Sequence, residues 1–353
     1  YGTLALARAL GRAGIAVALA DPKRVTRAGA SRFVRRRLAC PDAADTEAFL
    51  EWLTAFGERE PGHVLFPSSD ALAWLFARHA PAFARSFRLY APPFATVLTL
   101  LDKKRLHDAA QAVGLAVPHT VALASEEELR EVAPRLPYPV VLKPRTQAFL
   151  ASGHKGGLVS QERELLAAVR TYRAHHTLGA EAVAVDSTLP WPMAQEFFPD
   201  AETNIYGLSG FVGRDGGPTV IRAARKVLQR PRRFGIGVCF EAAPVNPRAQ
   251  EGLVALLEAV GYFGIFEAEL VEARGRLHLI DFNPRPYSQI AFDEARGLPL
   301  ALLHYLGATG QTSTLEALLG QAAATPYSAG EATAYHHRLL LDGVRVAQWA
   351  ARR

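Results

Sequence analysis

The sequence predicts a multidomain protein in which an α/β unit with a parallel sheet is followed by mixed α+β structure. Helices alternate with short apolar strands over residues 1–100, a pattern typical of a parallel sheet. From residue 101 onward strands and helices follow in mixed order, and the last two strands form an antiparallel hairpin. With 353 residues, 49% of them hydrophobic, the chain can bury the cores of two or three domains.

Residues 1–100 are predicted to form the parallel-sheet unit. They begin with a glycine turn at Gly2, an amphipathic helix and an apolar strand that ends at Asp21. Helices over residues 46–56 and 71–79 then alternate with strands at HVLFP and at residues 88–93. A strand should precede Gly2, and Met193 is the only Met, so we expect the natural product to begin earlier.

The glycines of this unit argue against a dinucleotide-dependent oxidoreductase. A Rossmann fingerprint requires G-x-G-x-x-G between a strand and a helix. Gly2, Gly11 and Gly14 do not have that spacing.

The rest of the chain is predicted to alternate irregularly between strands and helices. We expect helices at residues 162–173 and 247–260, a run of Ala-rich helices after Gly310, and a turn at Arg274 and Gly275. The expected strands are PHTVALAS, YPVVLKPR, PMAQEFF, NIYGLSGFVG, TVIRAARKVL, FGIFEAELVEA and RLHLIDFNP.

Carboxylates recur at every second position of the final hairpin. Glu267 and Glu269 fall on one face of the first strand, and Asp281 and Asn283 fall on one face of the second. A buried unpaired carboxylate is costly, so a cation is its natural partner, and hard oxygen ligands indicate magnesium. The alternative is that these acids lie on the solvent face of an antiparallel sheet.

Arg285 follows the hairpin between two prolines, which stiffen the backbone around it. A guanidinium held there can clamp a phosphate or a substrate carboxylate. This neighbourhood favours the magnesium interpretation over the solvent-face alternative.

A cationic group precedes the hairpin in the chain. Lys143 ends an apolar strand, and the loop after it contains Gly153, Lys155, Gly156 and Gly157. Glycine-rich loops let backbone N–H groups approach phosphate oxygens closely. Each feature also has an ordinary explanation, since a strand-end lysine can lie at the sheet edge with its ammonium in solvent and a glycine loop can simply be a loop.

Four segments together resemble the ATP-grasp superfamily: DKKRLHDAA, YPVVLKP, QEFFPDAE and FEAELVEARGRLHLIDFNPRP occur in its order and spacing. The resemblance covers about residues 1–305 and is closest to predicted ATP-grasp carboxylate–amine ligases, a group that includes D-aspartate ligases. It implies that ATP lies between two α+β subdomains. The implied units are a Rossmann-like pre-ATP-grasp domain (1–100), a small subdomain with phosphate lysines and a glycine-rich lid (101–193), a large subdomain with the adenine hinge and magnesium site (194–310), and a C-terminal helical extension (311–353).

The resemblance also implies which residues bind the nucleotide. Lys103 and Lys143 match phosphate contacts, and Lys155 and Gly156 match the lid over the phosphates. The run Gln195, Glu196, Phe197 and Phe198 matches the adenine hinge, with backbone contacts at Glu196 and Phe198. Glu202 matches the ribose contact. Gln195 departs from the pattern, because many family members have Glu there.

The metal-binding and catalytic positions follow in the same way. Glu269, Asp281 and Asn283 resemble the magnesium ligands, and Asp281 replaces the commoner Glu. Lys226 matches a basic position facing the γ-phosphate, and Arg285 matches the arginine that stabilises the tetrahedral intermediate. For Lys226 the alternative is a solvated strand face.

The function that the resemblance implies is a ligase that forms C–N bonds. The γ-phosphoryl group of ATP would pass to a carboxylate, and an amine would then displace phosphate from the acyl phosphate. ATP and one or two Mg²⁺ ions are the implied cofactors, and Mn²⁺ can substitute. The alternatives are an ATP-grasp kinase that stops at phosphoryl transfer and a nucleotide-binding module without catalysis.

Composition narrows the partners. The net charge of +6 comes from dispersed residues, and the densest cluster, Arg35 to Arg37, lacks aromatic interleaving, so nucleic acid is not expected. No apolar run is long enough to span a bilayer, and no signal peptide is recognisable, so we expect a cytoplasmic protein without membrane contact. The expected partners are small carboxylate and amine substrates, amino acids among them, and a homodimer is allowed.

Overall fold

A computed structural model describes residues 1–23, 25–151, 157–199, 204–230, 236–325 and 332–334. No helix in these ranges is both long enough and apolar enough to cross a membrane.

The first hundred residues alternate helices and strands, as predicted. Strands β1 and β2 pair in parallel, and so do β3 and β4, giving two small parallel sheets. The elements are α1 (Gly2–Arg12), β1 (Val17–Asp21), β2 (Val34–Ala39), α2 (Thr46–Arg59), β3 (His63–Val64), α3 (Asp70–Arg78), α4 (Ala80–Phe83), β4 (Phe87–Arg88) and α5 (Phe94–Leu101). The strand predicted at residues 88–93 is shorter than expected, because β4 ends at Arg88.

The next unit carries a four-stranded sheet in the order β5-β8-β6-β7, with every neighbouring pair antiparallel. A cis peptide bond joins Tyr138 to Pro139 just before β6. The elements are α6 (Lys103–Ala112), β5 (Thr120–Ala122), α7 (Glu126–Val132), a 3₁₀ turn (Ala133–Arg135), β6 (Val140–Lys143), β7 (Gly157–Val159), α8 (Glu162–His175), α9 (Ala180–Val185) and β8 (Met193–Glu196).

The third unit contains a six-stranded antiparallel sheet in the order β13-β12-β9-β10-β11-β14. The predicted hairpin is confirmed as β12 and β13, joined at Arg274 and Gly275, which both have positive φ. The elements are β9 (Ile205–Val212), β10 (Thr219–Arg230), β11 (Ile236–Ala243), α10 (Pro247–Ala259), β12 (Gly264–Ala273), β13 (Arg276–Asn283), α11 (Ile290–Ala295), α12 (Leu300–Ala308), α13 (Thr312–Ala324) and β14 (Ala332–Ala334).

One face of the six-stranded sheet forms the main core. Leu208, Phe266 and Phe282 point into it and pack against Leu106 of α6 and Leu256 of α10. Because successive strand residues point to opposite faces, this packing turns the alternate set of side chains toward the other face. That second face carries the acids of the hairpin.

The N-terminal unit packs against both of the others. Trp74 of α3 is fully buried beside Phe149, and its Nε1 donates to Glu181 at 3.1 Å. Tyr90 stacks on Phe211 of β9 with ring centroids 5.7 Å apart. These contacts hold the first unit against the other two.

Candidate functional site

A cleft lies between the four-stranded and six-stranded sheets. It encloses about 820 Å³, including the part open to solvent, which is within the usual range for a small-molecule site. The four-stranded side contributes lysine, amide and hinge residues, and the six-stranded side contributes acids, a lysine and apolar walls. The lining includes Lys103, Val141, Lys143, Gln195, Glu196, Phe197, Phe198, Ile205, Lys226, Glu269, Val271, Ile280 and Asp281.

The acids of the hairpin converge as the sequence predicted. Glu269 lies directly opposite Asp281 in the β12–β13 register, and Glu267 lies opposite Asn283. The register shifts between Glu269 and Leu270, which brings Ile280 into the cleft beside Asp281. Four oxygen-bearing side chains therefore share one face of the hairpin.

Two lysines bind the two opposed acids. Lys226 Nζ of β10 lies 2.6 Å from Glu269 Oε1, and Lys103 Nζ of α6 is bonded to Asp281 Oδ1. Burial alone would lower the pKa of Lys103, but the carboxylates of Asp281, Asp70 and Glu269 together outweigh burial and raise it. Both lysines are therefore held by acids at the floor of the cleft, and the solvent-face alternative for Lys226, which is 7% exposed, is wrong.

Glu267 is the most deeply buried acid of the hairpin. It accepts hydrogen bonds from Asn283 Nδ2 at 3.0 Å and from Gln289 Nε2, and only 4% of it is exposed. Burial, reinforced by the charge of Glu269, raises its pKa to about 8. Glu267 therefore holds its proton at neutral pH, which limits the negative charge where the two strands face each other.

A second polar chain runs through the four-stranded sheet. Lys143, at the end of β6 as predicted, donates from Nζ to Gln195 Oε1 at 2.6 Å. Gln195 in turn contacts Thr120, which contacts His107. Gln195 is 2% exposed, so its amide is fixed within the wall of the cleft.

The hinge run from 195 to 198 leaves β8 and lines one end of the cleft. The N–H groups of Glu196 and Phe197 already donate to His119 O at 2.8 Å and Pro139 O at 3.1 Å. These two N–H groups are therefore not available to a ligand. Arg274 pairs with the Glu196 carboxylate at 2.5 Å and lies over the Phe198 ring, closing this end.

Arg285 connects the hairpin to the first unit. Its Nε lies 2.5 Å from Asp70 Oδ1, and Nη2 donates to Asn283 Oδ1 at 3.0 Å. Burial opposes the charged form of Arg285, but the nearby acids, Asp70 foremost, together outweigh burial and raise its pKa. Asp70 begins α3 after the N-cap Ser69, so helix geometry sets its position.

At the level of sequence, the known relatives of the chain are distant. No family model matches the chain. It is 23% identical over 236 residues to the carbamoyl phosphate synthase large chain of Thermus thermophilus, covering 64% of this chain and 21% of that protein. It is 25% identical over 193 residues to the formate-dependent phosphoribosylglycinamide formyltransferase of Synechococcus elongatus, covering 53% of this chain and 45% of that protein. The chain thus spans less than half the length of both curated relatives.

Solved structures match over most of the chain. An N5-carboxyaminoimidazole ribonucleotide synthetase in its ADP complex has a TM-score of 0.66 at 14% identity and covers 86% of this chain and 73% of its own. The L-amino acid ligase of Bacillus licheniformis has a TM-score of 0.64 at 18% identity and covers 87% and 72%. The biotin carboxylase domain dimer of Hydrogenobacter thermophilus 2-oxoglutarate carboxylase, with MgADP and bicarbonate, has a TM-score of 0.67 at 17% identity and covers 87% and 68%.

All three neighbours are ATP-grasp ligases. The chain has the ATP-grasp fold. The resemblance seen in the four sequence segments is therefore confirmed at the level of the fold.

Most of the residues predicted from the ATP-grasp motifs meet in one cleft. Those that line it together are Lys103, Lys143, Gln195, Glu196, Phe197, Phe198, Lys226, Glu269 and Asp281. Asn283 and Arg285 adjoin the cleft through Glu267 and Asp70. Three predicted nucleotide contacts, Lys155, Gly156 and Glu202, lie outside the described residues.

The donor set suits the hard cation expected in an ATP-grasp cleft. Magnesium takes one or two protein carboxylates and completes its shell with water and phosphate oxygens, and Glu269 and Asp281 are opposed in that way. In the part of the chain that the structure describes, no three His, Cys, Asp or Glu side chains are grouped to hold a metal unaided. The arrangement therefore fits a metal that arrives with phosphate ligands better than a metal caged by protein alone.

Sequence reasoning missed the residues that connect the segments of Lys103 and Lys143. Arg145 Nε and Nη2 hold Asp102 as a bidentate pair, and Asp102 is fully buried. Asp102 also caps α6, while the N–H of Lys103 donates to Arg145 O at 2.8 Å. Both residues adjoin predicted lysine motifs, which was the available signal, but nothing local showed that they pair.

Proposed function

We propose that this chain is an ATP-dependent carboxylate–amine ligase. It would phosphorylate a carboxylate with ATP and join the resulting acyl phosphate to an amine, releasing ADP and phosphate. The observation that carries the proposal is that Lys226 pairs with Glu269, and Lys103 with Asp281, at the floor of one cleft. A site that brings phosphates, a divalent cation and a reacting carboxylate together needs both signs of charge at close quarters.

The residues divide the work by position. Lys103 and Lys143 would bind the phosphates, and the run from Gln195 to Phe198 would hold the adenine, with Glu202 at the ribose and Lys155 and Gly156 in the lid. Because the Glu196 and Phe197 N–H groups are already used, the carbonyl of Glu196 is the base contact we expect there.

The hairpin would hold the metal. Glu269, Asp281 and Asn283 are the proposed ligands, and Glu267 keeps Asn283 in place through its 3.0 Å hydrogen bond. When bound, magnesium supplies neutralisation of the charge that develops on the phosphoryl oxygens.

Two cations flank this metal position. Lys226 faces the cleft from β10 and would contact the transferred phosphoryl group. Arg285 would stabilise the tetrahedral intermediate of amine attack, a step that requires the reacting groups to be fixed in position. No nucleophile from the protein is needed for either step.

The relatives support ligation of this kind in general, because they include an L-amino acid ligase and a carboxyaminoimidazole ribonucleotide synthetase. We propose small carboxylate and amine substrates, amino acids among them. We also propose that the chain divides into functional units at about residues 100, 193 and 310, and that a dimer is the assembly to test.

The experiment is a screen of purified protein with ATP, Mg²⁺ and pairs of carboxylates and amino acids, with ADP and phosphate measured separately. Amine-dependent release of equal amounts of ADP and phosphate supports the proposal. Release of AMP and pyrophosphate overturns it. A stable phosphorylated product without amine identifies a kinase, and ATP binding without turnover across the panel identifies a non-catalytic module.

A further inference from the structure

A chain of hydrogen bonds stands behind Lys143. Lys143 Nζ donates to Gln195 Oε1 at 2.6 Å, and Gln195 Nε2 donates to Thr120 Oγ1 at 3.4 Å. On its far side, Thr120 Oγ1 lies 3.1 Å from His107 Nδ1. His107 belongs to α6, one helical turn after Lys103, so the chain runs from the floor of the cleft into its wall.

One backbone contact fixes which group donates and which accepts in this series of hydrogen bonds. The hydroxyl of Thr120 donates its single proton to Pro118 O at 2.9 Å. Its oxygen can then only accept, so His107 must donate from Nδ1 and Gln195 must donate from its amide nitrogen. Burial, with the charges of Lys143 and Lys103, lowers the pKa of His107 to about 3, so the ring stays neutral in this role.

The consequence falls on the amide of Gln195. An amide can present either its oxygen or its NH₂ group to a ligand, because the two are nearly equal in size. Here the NH₂ group is committed to Thr120, and the oxygen is turned toward Lys143 at the wall of the cleft. The reversed amide would place NH₂ against an ammonium group, and both groups can only donate.

We propose that Thr120, supported by His107, is a positioning residue that holds Gln195 with its oxygen toward the cleft, and that this orientation selects a purine bearing an exocyclic amino group over one bearing an oxo group. The inference rests on the proposed function, because it takes the cleft to bind a purine nucleotide. An amino group donates to the fixed amide oxygen, whereas an oxo group meets it acceptor against acceptor and is left unpaired. Sites that hydrogen-bond one substrate group in this way discriminate strongly against the analogue that lacks it.

The test compares ATP and GTP binding by calorimetry at a fixed Mg²⁺ concentration. Wild type is expected to bind ATP more tightly than GTP. Thr120→Val removes the acceptor that holds the amide, so the ratio of the two dissociation constants should fall about tenfold. Thr120→Ser keeps the hydroxyl and should keep the ratio. An unchanged ratio in Thr120→Val, or a lost ratio in Thr120→Ser, overturns the inference.

A double-mutant cycle separates positioning from general loss of packing. Gln195→Met removes the amide, so its ratio should fall as far as in Thr120→Val, and adding Thr120→Val to Gln195→Met should change the ratio no further. A further drop in the double variant means that Thr120 acts independently of Gln195 and overturns the inference. If Thr120→Val does not fold, Gln195→Met alone decides, because a ratio equal to wild type contradicts selection by the amide.

Failure of this inference is distinguishable from failure of the proposed function. Wild type that binds neither nucleotide overturns both. Wild type that binds ATP and releases ADP and phosphate, with a ratio unaffected by Thr120→Val, overturns only the positioning role.

Discussion

Glu269 and Asp281 lie directly opposite each other on two antiparallel strands, and each is bonded to a lysine from a different element, Lys226 of β10 and Lys103 of α6. Neighbouring like charges raise each other's cost of ionisation, and cations between them relieve it. This alternation of acids and lysines places both signs of charge side by side at the floor of the cleft.

Asp281→Asn should reduce turnover by about two orders of magnitude or more, because the amide keeps the shape of the side chain but removes the charge offered to the metal. Lys103 loses its ionic partner, so we expect a stability loss of about 1–3 kcal/mol with the fold retained. Steady-state kinetics and urea unfolding measure the two effects. Asp215→Asn makes the same chemical change in an exposed turn and should alter neither. Wild-type turnover in Asp281→Asn would show that this acid has no part in the chemistry.

Glu269→Gln should raise the Mg²⁺ concentration needed for half-maximal ATP binding by about tenfold, because the metal position loses one of its two opposed carboxylates. Calorimetric titration of ATP at a series of Mg²⁺ concentrations measures the shift. Glu272→Gln is the matched control, since Glu272 lies on the same strand in a largely exposed pair with Arg225. Equal Mg²⁺ dependence in Glu269→Gln and Glu272→Gln would exclude Glu269 as a ligand.

Asp70→Asn should destabilise the protein by about 1–3 kcal/mol, because Arg285 is buried and Asp70 is its closest charged partner at 2.5 Å. Asp108→Asn breaks an exposed pair with Lys104 and should cost less than about 1 kcal/mol. Urea unfolding at pH 7 compares the two. If Arg285 stabilises the tetrahedral intermediate, Asp70→Asn should also lower kcat while changing the KM for ATP little. Equal stability losses in the two variants would mean that the Asp70–Arg285 pair contributes no more than a surface pair.

His304 should make the protein sensitive to acid. Its ring is buried in α12 beside Phe66, 3.3 Å from Leu65 O, and burial lowers its pKa to about 4. Between pH 6.5 and 4 the unfolded chain binds a proton at this residue that the folded protein does not. The free energy of unfolding should therefore fall as pH decreases through this window, by about 3 kcal/mol from this group, and should not depend on it above pH 6.5.

His304→Gln removes the titrating group and keeps a donor for Leu65 O, so the difference in unfolding free energy between pH 7 and pH 4.5 should shrink. His175→Gln, on the exposed surface of α8, should leave that difference as in wild type. The same pH dependence in wild type and His304→Gln would assign the acid sensitivity to other residues.

The sequence predicted those parts of the molecule whose pattern is local. Alternation in FEAELVEA was sufficient to place Glu267 and Glu269 on one face, because the side-chain period of a strand is two. The apolar run before Lys143 likewise marked the end of a buried strand.

Elements with mixed patterns were missed. Arg35, Arg36 and Arg37 are exposed, as the prediction of a solvated basic surface requires. The sequence did not predict that this segment is a strand, β2, whose parallel pairing with β1 is decided by its tertiary neighbour. The strand β11 and the helices α11 and α12 also lack a signal that identified them in advance.

Local sequence patterns could not predict which residues pair with the site residues. Asp70 and Arg285 are 215 residues apart, and Asp102 and Arg145 are 43 apart. Spacing within one element predicts which side chains share a face but carries no information about which acid on another element meets them. The site was therefore predicted as a set of residues, while its pairing had to come from the structure.

The bidentate pair of Asp102 and Arg145 constrains how the sequence can change in evolution. It joins the residue before Lys103 to the residue two places after Lys143, and both charged groups are almost fully buried. Arg145 also contacts Asp186, and Asp102 also contacts Arg105, but both of these second partners are more exposed. Loss of either member of the pair would therefore leave a buried charge with a weaker partner, which favours change at both positions together. Among relatives that keep Lys103 and Lys143, we expect Asp102 and Arg145 to vary together, present as a pair or replaced as a pair.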